Sequence, residues 1–235
     1  MADLARRIAD NVAAVRQRIA AAAARSGRRA DEITLVAVTK YVDVERIRPL
    51  VAAGCLDLGE SRPQQLWQRA EELAALPIRW HMIGHLQRNK ARRTAALATL
   101  IHSVDTPQLL QSLDEIGGAL PRRLPLLLEV NISSEPAKHG FLPAALGSVL
   151  DRWAGAAHLE IRGLMGMAAL EGGGDAARRD FARLRQLRDQ WAAGAPAGLR
   201  LPELSMGMSG DYEVAIEEGA TIVRVGSALF EEPQG

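Results

Sequence analysis

The chain has 235 residues, of which 48% are hydrophobic and 24% are charged, a composition typical of a soluble globular protein. Its formal net charge is +1, so no overall field attracts nucleic acid or an anionic membrane, and neither is an expected partner. No apolar run approaches the ~20 residues that cross a bilayer. Because the N-terminus lacks a signal-peptide core and the chain has one cysteine, Cys55, we expect a cytoplasmic protein without an internal disulfide.

The first 25 residues predict a long amphipathic helix that ends at Ser26 and Gly27. Its apolar residues recur at helical spacing: Leu4, Ile8, Val12, Val15 and Ile19. We expect this segment, residues 1–26, to pack on the remainder of a single domain that spans residues 1–235.

From Ile33 onward the pattern alternates between strand and helix. Apolar, β-rich runs predict strands over 33–39, 55–58, 78–83, 100–104, 125–130, 158–165, 203–206 and 221–225. Helical patterns lie between them, and Pro49 is a point where the helix over 43–53 is expected to kink or end. Eight such units without a dividing linker predict an α/β fold, a single (β/α)8 TIM barrel.

In such a barrel, ligands bind at the carboxyl ends of the strands, so the candidate residues are those at strand ends. Lys40 follows the first strand, and His81 lies in the third. Each also has an ordinary interpretation. Lysines just past strands are mostly solvated, and a histidine in an apolar strand is more often a hydrogen-bonded core residue.

The seventh and eighth strands lead into glycine- and serine-rich loops. The residues concerned are Ser205, Met206, Gly207, Ser209 and Gly210 at and after the end of the seventh strand, and Arg224, Gly226 and Ser227 at the end of the eighth. Backbone N–H groups and hydroxyls in such loops bind phosphate, although the same residues also simply make turns. Asp211 brings a negative charge to the same helix start, which opposes an anion. No cluster has metal-ligand spacing, so no metal is expected.

The predicted barrel mouth contains three features: a lysine amine, phosphate-binding loops, and a cation that can face a ring nitrogen. Together they suit pyridoxal 5′-phosphate (PLP). In this hypothesis Lys40 forms a Schiff base with the aldehyde, and Arg224 faces the pyridine nitrogen. The loops after the seventh and eighth strands hold the phosphate.

Longer motifs support the same hypothesis. They are LVAVTKYV around Lys40, GES at 59–61, WHMIGHLQRNK at 80–90, LEVNIS at 128–133, KHGF at 138–141 and SMGMSGDYEVAIEEGATIVRVGSALF at 205–230. Over essentially the whole chain they resemble the YggS/PROSC family, the pyridoxal phosphate homeostasis proteins. The resemblance implies the alanine-racemase-type barrel (PLP fold type III) without its second domain, and a role in binding and supplying PLP rather than in catalysis.

The resulting cofactor-binding set is Lys40, Ser61, His81, Ser205, Met206, Gly207, Ser209, Arg224, Gly226 and Ser227. Family members often have asparagine where this chain has Ser61, whose shorter hydroxyl would need a water to reach the same atom. A monomer with transient contacts to apo-PLP enzymes is expected.

Two other functions are alternatives. A barrel that binds another phosphorylated metabolite would use Lys40 only as a charged contact. A PLP-dependent amino-acid racemase would need a base on each face of the substrate, and we expect no second domain to supply one. Tyr41 is expected to point away from Lys40 if strand geometry persists. Because arginine at the ring nitrogen also weakens the electron sink, the non-catalytic carrier is favoured.

Overall fold

The computed structural model describes residues 2–133, 135, 138–169, 171–194 and 199–231. Within these ranges, eight parallel strands pair in chain order and close into a barrel, in which the first strand pairs with the eighth. The strands are Thr34–Val38 (β1), Asp57–Glu60 (β2), Arg79–Met82 (β3), Ala98–Val104 (β4), Leu124–Glu129 (β5), Leu159–Met165 (β6), Glu203–Ser205 (β7) and Ile222–Val225 (β8). The predicted (β/α)8 barrel is confirmed.

Helices surround the strands on the outside of the barrel. They are Ala2–Arg25 (α1), Val44–Ala52 (α2), Pro63–Glu72 (α3), Arg88–Leu97 (α4), Pro107–Gly117 (α5), Leu146–Trp153 (α6), Gly173–Gly194 (α7) and Tyr212–Glu217 (α8). No helix in the described ranges has the length and apolar character needed to cross a membrane.

The helix does not end at Pro49, because α2 continues through it to Ala52. A proline in a helix removes one backbone hydrogen bond. Ile47, Leu50 and Val51 are buried on either side of Pro49, so packing against the barrel holds the helix together.

Helix α1 confirms the amphipathic pattern. Its buried side is formed by Ile8, Val12, Val15, Ile19, Ala22 and Ala23. The helix lies against α2 and α8. Arg18 and Arg25 form salt bridges with Glu213 on α8, and Asn11 donates to the backbone carbonyl of Leu229 at 3.3 Å. These contacts attach α1 to the last βα unit.

Alternation along the strands positions the polar interior of the barrel. An apolar layer fills the inside, composed of Val36, Leu100, Leu127, Met165 and Ile222. Because every second residue of a strand faces the same side, the residues two positions further along also point inward. These include His102 on β4, Glu129 on β5 and Arg224 on β8. Polar groups therefore stand one layer nearer the carboxyl ends of the strands.

Candidate functional site

A cavity of about 510 Å³ opens at the carboxyl ends of the strands, a size typical of small-molecule sites. Six of the ten predicted site residues line it: Lys40, Ser61, Ser209, Arg224, Gly226 and Ser227. They come from β8 and from the loops after β1, β2, β7 and β8. The barrel thus brings together the amine, the guanidinium and the serine-rich loops that the sequence places far apart.

The other four predicted residues do not line this cavity, and their role in binding the cofactor stays a prediction. Met206 is fully buried in the main hydrophobic core, and Ser205 and His81 are buried in hydrogen bonds. Gly207 has φ +91°, and a Cβ there would lie 2.6 Å from the Cβ of Ala215. Only glycine fits that turn readily, so the role of Gly207 is in the backbone.

Lys40 is exposed in the turn that follows β1. Strand geometry does not persist through this turn, because β1 ends at Val38 and Tyr41 adopts a left-handed φ of 65°. The condition under which Tyr41 was expected to point away from Lys40 is therefore not met. The Lys40 Nζ lies 5.9 Å from the centre of the Tyr41 ring, and that tyrosine is 75% exposed.

A buried ion pair holds the Lys40 turn in place. The Arg69 guanidinium on α3 donates to the Thr39 carbonyl at 2.7 Å and to the Val42 carbonyl, the two residues that bracket the turn. It also pairs with the Glu60 carboxylate, which accepts a further hydrogen bond from the Thr39 hydroxyl. Burial raises the pKa of Glu60, although Thr39 and Arg69 oppose this. No motif around Arg69 indicates this role.

Arg224 forms the cationic floor of the cavity. Its Nη1 donates to the carbonyl and the hydroxyl of Ser205 at 2.8 and 2.5 Å, and its Nη2 donates to the Gly166 carbonyl at 3.1 Å. Burial lowers the pKa of Arg224 to about 10, and the Glu129 charge opposes this change. The guanidinium therefore stays protonated at neutral pH, with a fixed orientation.

A chain of buried hydrogen bonds supports Arg224 from below. Asp57 Oδ1 lies 3.1 Å from His81 Nε2, His81 Nδ1 lies 2.9 Å from His102 Nε2, and His102 Nδ1 lies 2.8 Å from Ser205 Oγ. Burial, together with the nearby charges of His81 and Arg224, lowers the pKa of His102 well below its usual value. His81 is thus linked to Arg224 through this chain, and its predicted role in the site stays a prediction.

Asp57 anchors the lower end of that chain at the start of β2. Burial alone would raise the pKa of this carboxyl, but hydrogen bonds from His81 and Arg79 lower it to about 2. The Asp57 carboxylate is therefore ionised at neutral pH. Its charge fixes one end of the hydrogen-bonded row.

The loops after β7 and β8 meet at one side of the cavity. The Gly226 N–H donates to the Ser209 hydroxyl at 3.1 Å, which joins the loops, and Ser227 begins a short 3-10 helix. The Asp211 carboxylate accepts from the Met208 N–H at 2.6 Å. Its charge is partly satisfied by that loop backbone. The cavity has hydroxyls and loop N–H groups on one side, an amine at its mouth and a guanidinium on its floor. In that order, these groups fit the phosphate, the aldehyde and the ring nitrogen of PLP.

Several residues of this cavity were not identified from the sequence. Among them, Glu129 has the carboxyl group best suited to proton transfer. Burial and the neighbouring Asp105 charge raise the pKa of Glu129 to about 7. A signal was available, because Glu129 ends the fifth strand just as Arg224 stands near the end of the eighth. His85 and His139 also line the cavity, from the loops after β3 and β5.

The fold and this site define a class of protein, the alanine-racemase-type barrel with a lysine at its mouth. Residues 7–233 match the family model for the alanine racemase N-terminal domain. Alanine racemase from Corynebacterium glutamicum superposes with a TM-score of 0.73 at 15% identity, covering 97% of this chain and 61% of its own, and so shares the fold.

Relatives with higher sequence identity show which family within this class the chain belongs to. A pyridoxal phosphate homeostasis protein of Pseudomonas aeruginosa is 40% identical, over 95% of this chain and 94% of its own length. The solved structure of PipY from Synechococcus elongatus with PLP bound superposes with a TM-score of 0.84 at 37% identity, covering 95% of this chain and all of its own. The chain belongs to the pyridoxal phosphate homeostasis protein family, which confirms the resemblance found in its motifs.

Proposed function

We propose that this protein binds PLP as a Schiff base on Lys40 and serves PLP homeostasis by holding and releasing the cofactor. One observation carries the proposal: a single cavity of about 510 Å³ presents Lys40, the Arg224 guanidinium and the joined loops of Ser209 and Ser227. The PLP-bound structure of the PipY relative supports the same ligand.

Each group of the cavity has a task that follows from its position. Bound PLP supplies an electrophilic aldehyde on an electron-withdrawing ring. The hydroxyls of Ser209 and Ser227 and the nearby backbone N–H groups donate to an anion. Because its guanidinium is already protonated, Arg224 can only donate hydrogen bonds. It therefore binds a ring nitrogen that carries no proton.

Lys40 is the amine best placed for covalent attachment. The chain has three lysines, Lys40, Lys90 and Lys138. The Lys138 Nζ is held by the Ser133 hydroxyl at 3.0 Å and the Ala168 carbonyl at 2.9 Å. Lys90 lies on the outer helix α4, against the Trp67 ring. Lys40 alone among the three lines the cavity.

Glu129 gives the cavity a proton donor and acceptor near neutral pH. With a pKa of about 7, its carboxyl is present in both protonation states under physiological conditions. Forming and hydrolysing a carbon–nitrogen double bond both require proton transfer, which is fastest with a group whose pKa lies near the working pH. We infer that Glu129 assists loading and release.

We infer further that the protein is a carrier and not an amino-acid racemase. The cationic Arg224 leaves the ring nitrogen unprotonated, which weakens the electron sink that Cα proton abstraction needs. The Tyr212 phenol is buried on α8, close to Arg18, and Tyr41 is mostly solvated. A cytoplasmic location, a monomeric state and transient contacts with apo-PLP enzymes stay predictions from the sequence.

The test is to load tag-free protein with PLP, reduce it with borohydride and map the modified peptide. We expect an absorbance typical of an imine before reduction and one adduct, on Lys40. Lys40→Ala should lose both signals, whereas Lys90→Ala, the matched control on α4, should keep them. An adduct mainly on Lys138 or Lys90 in the unmodified protein would refute the assignment.

A further inference from the structure

Three side chains from separate loops converge on the wall of the cavity. His85 follows β3, Asp105 follows β4 and His139 follows β5. The His85 Nδ1 lies 2.9 Å from the Asp105 Oδ2, and the His139 Nδ1 lies 3.6 Å from the same oxygen. Each of the three residues offers one ligand atom, and these three atoms lie within 4.8 Å of one another. The sequence predicted no metal site because these residues form no short motif.

The spacing of these atoms suits a bound cation. Zinc binds nitrogen and carboxylate oxygen at roughly 2.0–2.2 Å, so two ligand atoms on one zinc ion are separated by about 3–3.5 Å. The two separations from the Asp105 Oδ2, 2.9 and 3.6 Å, lie close to that range. The two imidazole rings stack at 4.4 Å between centres, with both Nδ1 atoms near the carboxylate.

The surrounding loops hold this arrangement in place. The Ser103 hydroxyl donates to the Gly84 carbonyl at 2.5 Å, which fixes the residue before His85. After His139, Gly140 has φ +115°, and the Phe141 N–H donates to the Glu129 carbonyl at 2.7 Å. A site whose ligands are already positioned loses little freedom when it binds an ion.

The ligand types select the kind of ion. Imidazole and carboxylate together suit zinc, cobalt and nickel, whereas magnesium and calcium favour oxygen ligands. The Asp105 side chain is only 3% exposed, while those of His85 and His139 are 45% and 61% exposed. A buried carboxylate therefore anchors the site, and the histidines leave it open to solvent.

We propose that His85, Asp105 and His139 form a binding site for one divalent transition-metal ion, with Zn²⁺ as the reference. Because both histidines line the cavity assigned to PLP, the ion fixes the wall formed by the β3 and β5 loops. The ion site needs only these three side chains. It does not depend on PLP being the ligand of the cavity.

The experiment titrates tag-free protein, without added PLP, with Zn²⁺ in competition with a chromophoric chelator, and with Co²⁺ monitored by visible absorption. We expect one equivalent of each ion per chain, with Co²⁺ bands of nitrogen and oxygen coordination. Losing an outer-shell partner already weakens metal sites about 10–100-fold. His139→Ala and His85→Ala should therefore each weaken Zn²⁺ binding at least about tenfold.

The matched control is His158→Ala. His158 also lies near a carboxylate, at 3.5 Å from Asp114, but outside the cavity. This variant should keep the affinity of the unmodified protein. Thermal melts establish that each variant is folded, and His139→Ala is the safest case because its side chain is largely exposed. Absence of stoichiometric uptake, or equal affinity in all variants, would overturn the site, while the Lys40 adduct test decides the PLP role separately.

Discussion

Replacing Arg69 with methionine should destabilise the protein by about 3–5 kcal/mol, the usual cost of removing one partner from a buried ion pair. Arg69 and Glu60 are both buried, and the Arg69 guanidinium is also the donor to the carbonyls of Thr39 and Val42. A methionine of similar length fills the space but leaves the Glu60 carboxylate without its cation.

The loss of stability in Arg69→Met should appear as a lower melting temperature, and it should depend on pH. For a chain of this length about 2–4 °C is lost per kcal/mol, so the melting temperature should fall by about 6–20 °C. Burial already raises the pKa of Glu60, and removing Arg69 raises it further. An acid whose pKa is higher in the folded state stabilises that state at low pH and loses this contribution as pH rises. The destabilisation in Arg69→Met should thus be smaller near about pH 5 than near about pH 8.

Urea unfolding followed by circular dichroism at both pH values measures these differences. The double variant Arg69→Met, Glu60→Gln should recover part of the loss and the pH dependence, because no charge is left buried. The matched control is Arg93→Met, in which a 59% exposed arginine near Glu71 should contribute less than about 1 kcal/mol. A loss below about 1 kcal/mol for Arg69→Met, with no pH dependence, would refute the reasoning.

Three further predictions concern the cavity. Ser227→Ala should weaken PLP binding by about 1.5–3 kcal/mol, the value of a hydrogen bond to a charged group, and pyridoxal binding much less; equal losses in paired titrations would place the phosphate elsewhere. The folded-state pKa of Glu129 is raised to about 7. As pH rises toward 7, the unfolding free energy of the unmodified protein should therefore fall relative to that of Glu129→Gln. Parallel stability curves for the two proteins would contradict this. Protein loaded with PLP and given single amino-acid enantiomers in deuterated water should show no stereoinversion or Cα deuteration at enzymatic rates; rapid exchange that disappears in Lys40→Ala would favour the racemase.

The order of the strands and helices could be predicted because buried parallel strands have continuous apolar sequences. The bounds were less certain, as β2 shows. Its prediction over 55–58 gave Gly59 and Glu60 to a turn, but both belong to the strand. A Cβ at Gly59 would lie 2.9 Å from Val36 Cγ1, so this glycine permits close packing between strands. Composition alone does not distinguish such a glycine from one in a turn.

The candidate site was predictable where one strand or loop carries the residue, as for Lys40, Arg224 and Ser227. It was not predictable where residues far apart in the sequence become hydrogen-bonded partners through the fold. His81 bonds to His102 across 21 residues, and His102 bonds to Ser205 across 103. Arg69 reads as one polar position of an amphipathic helix. Only the three-dimensional fold shows which carbonyls it reaches.

Holding a reactive aldehyde reversibly makes opposite demands on the two ends of the cavity. The floor must keep its geometry, and Arg224 does so through three acceptor contacts and the row of hydrogen bonds behind Ser205. The mouth must admit water or an incoming amine, and Lys40 lies there in an exposed turn. An enzyme gains electrostatic strength by excluding solvent from its reacting atoms. Under the proposed function, the exposed Lys40 lacks that gain, and the same exposure would let bound PLP leave.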